Sequence, residues 1–474
     1  MKKKSLSLAL ALVMAASLTA CGGGSQSAGT TTAPAKAEET TAAEQTTAAE
    51  GTTQEASSGE KVTLQFWHAW SGGNAEKLEK AVAAFNASHD DIEVVATNQG
   101  ADYWEVYSKA LTAISAGETP DLLMIGTDNV GPYVEGGLLE DLVPYMTPEE
   151  KDDLVPAFTD TYWGDNGELW VLSWGRSCPV LFVNQDMLDE AGLKVPTTWD
   201  EVDEVSQKLI ASGATNYGYS MPYDSWYFIM IVPQMGGTLF NEDLTALGCV
   251  EDGTLAKGLQ MYQDQVKNKT LYFGPTQSSN DTCRSLFLNG ECAMFMTSCS
   301  NLAAVNENAG FKYTVNPVPT GERKVVNTGG CTFGMLSGSE HKKEAWEFMQ
   351  WYMTAEEGGA SIAAGIGYIP WTKSMSETQV IKDAWAKMPE AKNAYQQILD
   401  CGEDSGRTIK TGEFTSDFMA SLEAVLYDLD DVNAVVEELD QEVKAALELS
   451  LIHILYTSSS AFCGIPPASF PFLP

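Results

Sequence analysis

From residue 62 the chain alternates. Val62, Leu64 and Phe66 are apolar and Thr63 and Gln65 polar, a strand signal that breaks at Ser71-Gly72-Gly73. Asn74 is placed to cap a helix whose apolar face is Ala75, Leu78, Val82 and Phe85. A second strand is predicted over 92–96, a second helix across Val106, Ala110 and Ile114, and a third strand over 121–125. This β-α-β-α-β order implies a parallel sheet covered by helices. Ligands of such sheets sit beyond the carboxyl ends of the strands. There the chain carries Trp67-His68-Ala69-Trp70, residues 98–104 with Tyr103 and Trp104, and Gly126-Thr127-Asp128-Asn129. Aromatic and short polar side chains of this kind suit a sugar.

A second α/β body follows. GELWVLS (167–173) and VLFVN (180–184) read as strands, and Thr198-Trp199-Asp200-Glu201 opens a helix ending near Leu209. Residues 216–220 return as a strand and lead into an aromatic loop at 221–226. LFLNGECAMF (286–295) is a helix end, a glycine turn and a strand. Strands are predicted over 311–319 and 331–336, and helices over 343–353 and 356–363. Val432, Val436, Leu439, Val443 and Leu447 define a last amphipathic helix.

The ends of the chain have a different pattern. Lys2-Lys3-Lys4 precedes an apolar run from residue 6 to 18, about 13 residues and short of the roughly 20 that span a bilayer. A basic start, a short apolar core and a small residue before cleavage make residues 1–20 a secretory signal. The ending Leu18-Thr19-Ala20-Cys21 resembles the bacterial lipoprotein box, which implies acylation of Cys21 and an anchor on the outer face of the membrane. Residues 22–60, 39 in all, are almost entirely Gly, Ser, Thr, Ala, Glu and Gln. Such a segment cannot bury enough apolar surface to offset its ordering entropy, and 21–60 is expected to be a disordered tether. At about 5–6 Å × √n it spans roughly 35 Å. At the other end, residues 449–454 (LSLIHI) resemble a translated sequencing adapter, and nothing periodic follows. Residues 449–474 are therefore expected to be a non-native tail.

Charge narrows the partners. The chain has 28 basic and 65 acidic residues, and without the three leader lysines the balance is near −40. That disfavours nucleic acid, a direct contact of the body with anionic lipid, and a highly anionic ligand, although one local Arg can override a global field. Cys178, Cys249, Cys283, Cys292, Cys299, Cys331, Cys401 and Cys463 form no C-x-x-C pair and have no histidine at metal-ligand spacing. Most of them, in apolar or small-residue settings, are expected to be buried thiols, with room for one disulfide and no metal site expected. No cofactor is expected.

FWHAWSG, FNAS and KALTAISAGETPDLLMIG, followed by CPVLFVNQDMLDEAGLKVPTTWDEV, LFLNGECAMFMTSCS, FKYTVNPVPTG and GIGYIPWTKS, carry a resemblance. In this order they are similar to the extracellular solute-binding proteins of carbohydrate ATP-binding-cassette importers, the type that binds sugars, oligosaccharides and glycerol phosphates. The resemblance covers about 62–448. It implies an α/β, two-lobe periplasmic-binding-protein-like fold with a three-segment hinge and an interlobe ligand cleft. The crossings would lie near 176–179, 327–331 and 365–372. The lobes would then be 61–175 with 332–370 and 176–331 with 371–448. It further implies a monomer that captures a sugar or oligosaccharide, closes over it and delivers it to permease subunits.

Carried over by motif, the ligand-facing positions are Trp67, His68 and Trp70; Tyr103 and Trp104; Thr127 and Asp128; and Arg176 and Ser177. In the second lobe and hinge they are Tyr223 and Trp226; Ser298 and Ser300; Gly329 and Gly330; and Tyr368. Aromatic faces would cover the C–H faces of a pyranose while Asp, Arg, Ser and backbone amides bind its hydroxyls. The glycerol-phosphate branch reads phosphate with a basic residue in its C-terminal part. KTGEFTSDF (410–418) has no arginine, which favours a neutral sugar, although Lys410 and Arg407 keep the alternative open. A secreted glycoside hydrolase would need two carboxylates facing one bond. Asp128 with Asp224 or Glu168 would be the pair, but no catalytic motif accompanies them. A surface adhesin would offer an open face instead of closing.

Overall fold

The computed structural model describes residues 61–401 and 411–463, the last helix by its backbone alone beyond Leu447. The expected signal, Cys21, the tether, Arg407, Lys410 and the end of the tail lie outside the described residues.

Ten strands form two five-stranded sheets. In chain order they are β1 (Val62–His68), β2 (Ile92–Asn98), β3 (Leu122–Gly126), β4 (Leu172–Ser177), β5 (Pro179–Asn184), β6 (Tyr217–Met221), β7 (Leu271–Phe273), β8 (Cys292–Ser298), β9 (Tyr313–Asn316) and β10 (Gly329–Met335). The first sheet has the order β2-β1-β3-β10-β4 and the second β7-β6-β8-β5-β9. As the alternation predicts, β1 pairs in parallel with β2 and β3, and Leu64 and Phe66 are fully buried. β10 then enters antiparallel between β3 and β4, so the first sheet is mixed.

The helices start where local chemistry allows. Gly72–Ser88 begins two residues ahead of Asn74, with Ser71 at the cap position. Helix Tyr103–Ala116 is capped by Asp102, whose carboxylate accepts the Glu105 N–H at 2.9 Å. Thr198 caps Trp199–Ala211. The strand expected over 167–173 starts only at Leu172. Before it, Leu169 makes an isolated bridge to Trp163 and donates its N–H to Asp141, so its backbone is satisfied outside the ladder. Helix Val432–Cys463 buries the expected seam Val432, Val436, Leu439, Val443 and Leu447. Its backbone also stays helical through much of the segment read as aperiodic.

The chain changes sheets at three places. β4 ends at Ser177 and β5 starts at Pro179 in the other sheet, with Cys178 alone between them. Residues 317–327 stay with the second sheet, where the side chain of Gln234 donates to the carbonyls of Pro319 and Val325. The chain then enters β10 at Gly329, so residues 329–331 join the first sheet and not the second lobe. The sequence reading puts the third passage at 365–372, but that stretch stays with the first sheet. Trp371 is fully buried there and stacks on Tyr352, its carbonyl accepts the Val155 N–H at 3.2 Å, and Thr372 pairs with Leu154. Helix Gln379–Lys387 packs on Ser361–Ile366, and only Ala391–Cys401 reaches β9.

The core of the first lobe is aromatic. Trp174 stacks on Tyr352 with ring centroids 3.7 Å apart, and Phe66, Phe333 and Phe348 surround the pair. Cys178, Cys249, Cys283, Cys292, Cys299 and Cys331 are buried free thiols. Burial pushes Cys283 and Cys331 up to about 12, so they stay protonated and pack as small hydrophobes.

One glycine permits the β4–β10 pairing at the crossings, and a second makes room for a ring beside it. Gly330 has φ +116°, and a Cβ there would lie 2.0 Å from the Gly175 carbonyl oxygen. At Gly175 a Cβ would meet the Tyr368 ring at 2.5 Å. Gly330→Ala combines a conformation costing about 1–3 kcal/mol with a backbone clash. We expect it to lower unfolding free energy by about 3 kcal/mol or more, read from urea denaturation against the wild type.

Candidate functional site

The strand ends that carry short polar residues converge between the two sheets. After β3 a single 3-10 turn, Thr127–Asn129, follows Gly126. After β6 the single turn Ser225–Phe228 follows Asp224, whose carboxylate accepts the Trp226 N–H at 2.9 Å. Together with Ser177, Gly329, Gly330 and Tyr103 these segments line a cavity of about 210 Å³.

Glycines set its walls. A Cβ on Gly126 would sit 2.5 Å from the Asn129 Oδ1 and 2.7 Å from the Tyr103 ring. A Cβ on Gly329 would sit 2.7 Å from the Trp226 ring, so the indole lies directly on strand backbone. Trp226 is held there at both ends. Its Nε1 donates to the Thr328 carbonyl at 3.1 Å, and its own carbonyl accepts from Asn327 Nδ2 at 2.7 Å. One half-buried aromatic from the second lobe is thereby fixed to the strand entering the first.

The polar groups are acceptors and donors suited to hydroxyls. Asp128 and Asp224 face the cavity as carboxylates. The position of Asp224 between the lobes strips part of its hydration and pushes its pKa above the ordinary Asp range, partly offset by the Trp226 N–H. Asn129 is buried, and its Nδ2 has no hydrogen-bond partner, leaving a donor beside the cavity. Burial holds the Tyr103 phenol well above its usual value, so it stays neutral.

A second cavity, about 370 Å³, is lined by Asn74, Lys77, Asn280, Arg284, Ser300, Asn301 and Tyr368, among others. Gly175 lies between residues of the two: Tyr368 of the second cavity and Trp70 cover it, and a Cβ on Gly330 of the first would lie 2.0 Å from its carbonyl oxygen.

Of the positions expected to face ligand, Tyr103, Thr127, Asp128, Ser177, Trp226, Gly329 and Gly330 line the first cavity, and Ser300 and Tyr368 the second. Trp70 is buried and lines neither, 6.4 Å from Tyr368 by ring centroids. Ser298 sits behind Ser300, its Oγ accepting the Ser300 N–H.

The others lie elsewhere. Arg176 is 1 % exposed, with its guanidinium over the Phe158 and Tyr162 rings and donating to the Phe158 carbonyl. It serves the packing under the first crossing. His68 is buried beside Phe66, and burial lowers its pKa. Trp67 is half-buried against the core. Tyr223 turns toward helix Thr411–Leu426, bonding the Met419 carbonyl and Glu423. Trp104, 49 % exposed, packs edge-on to Tyr107 and lines neither cavity. Sequence reasoning missed Asn129, although it directly follows Asp128. It weighed Asp224 only as a hydrolytic carboxylate, and no local signal marked Lys77 or Arg284.

Two α/β lobes, joined by three chain passages and enclosing a polar and aromatic cleft, define a bilobal ligand-binding protein. The chain belongs to the bacterial extracellular solute-binding proteins, whose family profile matches residues 80–390. It is 24% identical to the maltotriose-binding protein of Pyrococcus abyssi, over 82% of this chain and 83% of that protein. It is 26% identical to the sn-glycerol-3-phosphate-binding periplasmic protein UgpB of Pectobacterium atrosepticum, over 71% and 79% respectively. Among solved structures, UgpB from Mycobacterium tuberculosis in complex with glycerophosphocholine superposes with a TM-score of 0.70. That match covers 82% of this chain and 99% of the other at 21% identity, a likeness of fold. Members of this family bind solutes outside the cytoplasm and are not enzymes.

Trp226→Ala should separate ligand platform from core. We expect ligand affinity to fall roughly 30-fold, about 2 kcal/mol. Unfolding free energy should fall by less than the roughly 3–5 kcal/mol of a core tryptophan. Saccharide titration and urea denaturation of the same variant measure both.

Proposed function

We propose that this protein captures a sugar or short oligosaccharide between its two lobes and hands it to the permease of an ATP-binding-cassette importer. The observation that carries this reading is the first cavity. A fixed indole face, two carboxylates and an unpartnered amide donor converge there at strand ends from both lobes. An indole covers the apolar face of a pyranose, and carboxylates and amides take its hydroxyls. The names of the relatives, for maltotriose and for glycerol 3-phosphate, support the same class of cargo.

The ligand-facing set is Tyr103, Thr127, Asp128, Asn129, Ser177, Asp224, Trp226, Gly329 and Gly330, with Trp70, Ser300 and Tyr368 toward the second cavity. Contacts to both lobes favour a closed state, and the permease favours release from an open one. The protein works as a monomer without turnover of its cargo, anchored through an acylated Cys21 and held off the membrane by the segment 21–60.

A thermal-shift screen across neutral and acidic saccharides finds the cargo, because a ligand that binds only the folded state raises the melting temperature. The bound form should have a smaller radius of gyration by scattering and altered fluorescence from its 12 tryptophans. Binding without compaction would contradict closure. Expressed from its own signal in a bacterium, the wild type should partition into detergent and Cys21→Ser should not.

A further inference from the structure

The charges of the cleft are sorted. Among the described residues, the first cavity is lined by Asp128 and Asp224 and by no basic side chain. The second is lined by Lys77 and Arg284 and, among the same residues, by no carboxylate. In a chain with 65 acidic and 28 basic residues, a polar cavity whose described charged walls are both cationic runs against the composition.

The two cations come from opposite lobes. Lys77 belongs to helix Gly72–Ser88, and its stem lies over Gly365, where a Cβ would be 3.1 Å from the Lys77 Cε. Its ammonium donates to the Gly73 carbonyl at 3.0 Å and keeps further donors for a ligand. Arg284 belongs to helix Ser279–Leu288. Its Nη1 donates to Asn301 Oδ1 at 3.0 Å and its Nη2 to Asp281 Oδ1 at 2.6 Å, which fixes the guanidinium. Asp281 is itself largely exposed and offsets only one of the two positive charges. Ser300, Asn74 and Asn280 add neutral donors around the same space.

We infer that the cargo is a saccharide bearing an oxyacid group, whose acid end lies between Lys77 and Arg284 while its hydroxylated ring rests on Trp226. The inference rests on the cleft reading above and names the class of ligand that the neutral-sugar expectation leaves out. An oxyanion between cations of opposite lobes also contributes to closure, since each lobe alone supplies only half the countercharge. Uronates, sulfate esters and phosphate esters share this chemistry.

Calorimetric titration of the full chain at low and high salt tests it with matched pairs. These are cellobiose against cellobiouronic acid, maltotriose against its terminal 6-phosphate, and glycerol against glycerol 3-phosphate, with inorganic phosphate and sulfate as free ions. The carboxylate and phosphate arms distinguish the sources of the acid. In the pair that binds, the acidic member should bind at least about 10-fold more tightly, and its affinity should fall as salt rises. Lys77→Gln with Arg284→Gln should erase that preference while leaving the neutral member's affinity and the melting temperature near wild type. Equal affinity within every binding pair would overturn the inference. So would an acid preference that survives both substitutions, or inorganic phosphate binding as tightly as the acidic saccharide. If no saccharide of either kind binds, the sugar reading of the cleft itself falls.

Discussion

The close approach of β10 to β4 is the constraint on which the cleft depends. Gly330 allows two strand backbones to meet where a side chain would collide with the Gly175 carbonyl. That contact brings the entry of β10 beside the exit of β4, so two of the chain passages run side by side under the cleft. Gly329 then leaves its backbone bare for the Trp226 indole, and Gly175 leaves room for Tyr368. A methyl group at any of these positions would displace a ring or a strand. The floor is thus backbone, and the aromatic groups and carboxylates reach it from the walls.

Because the passages are short, each lobe has its own way of holding them. The first lobe holds its own segment ahead of the third passage through Trp371 on Tyr352, and the first passage through buried Arg176 over two rings. The second lobe holds the approach to β10 through Gln234, and Trp226 through Asn327. Arg176, Gln234 and Asn327 each donate there to backbone carbonyls, which ties side chains to the main chain around the passages.

The distribution of charge follows from the same arrangement. Carboxylates come from the loops after β3 and β6, the places where a strand hands over to a helical turn. The cations come from helix bodies that flank the second cavity from each lobe. The net negative charge of the chain says little about its cargo, because charges that line a cavity set the field there.

The chain order of strands and helices was legible in the sequence, since period-two and period-3.6 patterns are local and reflect burial of one face. Leu64 and Phe66 inward, and the seam from Val432 to Leu447, are read directly from spacing. The cleft segments were legible too, because the strand ends fall at glycine and short polar residues. Which side chain turns into the cleft was decided by the tertiary structure. Arg176 and Ser177 are neighbours on β4 and so face opposite ways, but which of the two faces meets the cavity and which lies under aromatic rings is set by how the sheets pack. Lys77 and Arg284, some two hundred residues apart, carry no mutual signal along the chain and face one cavity only because the two sheets meet through the hinge.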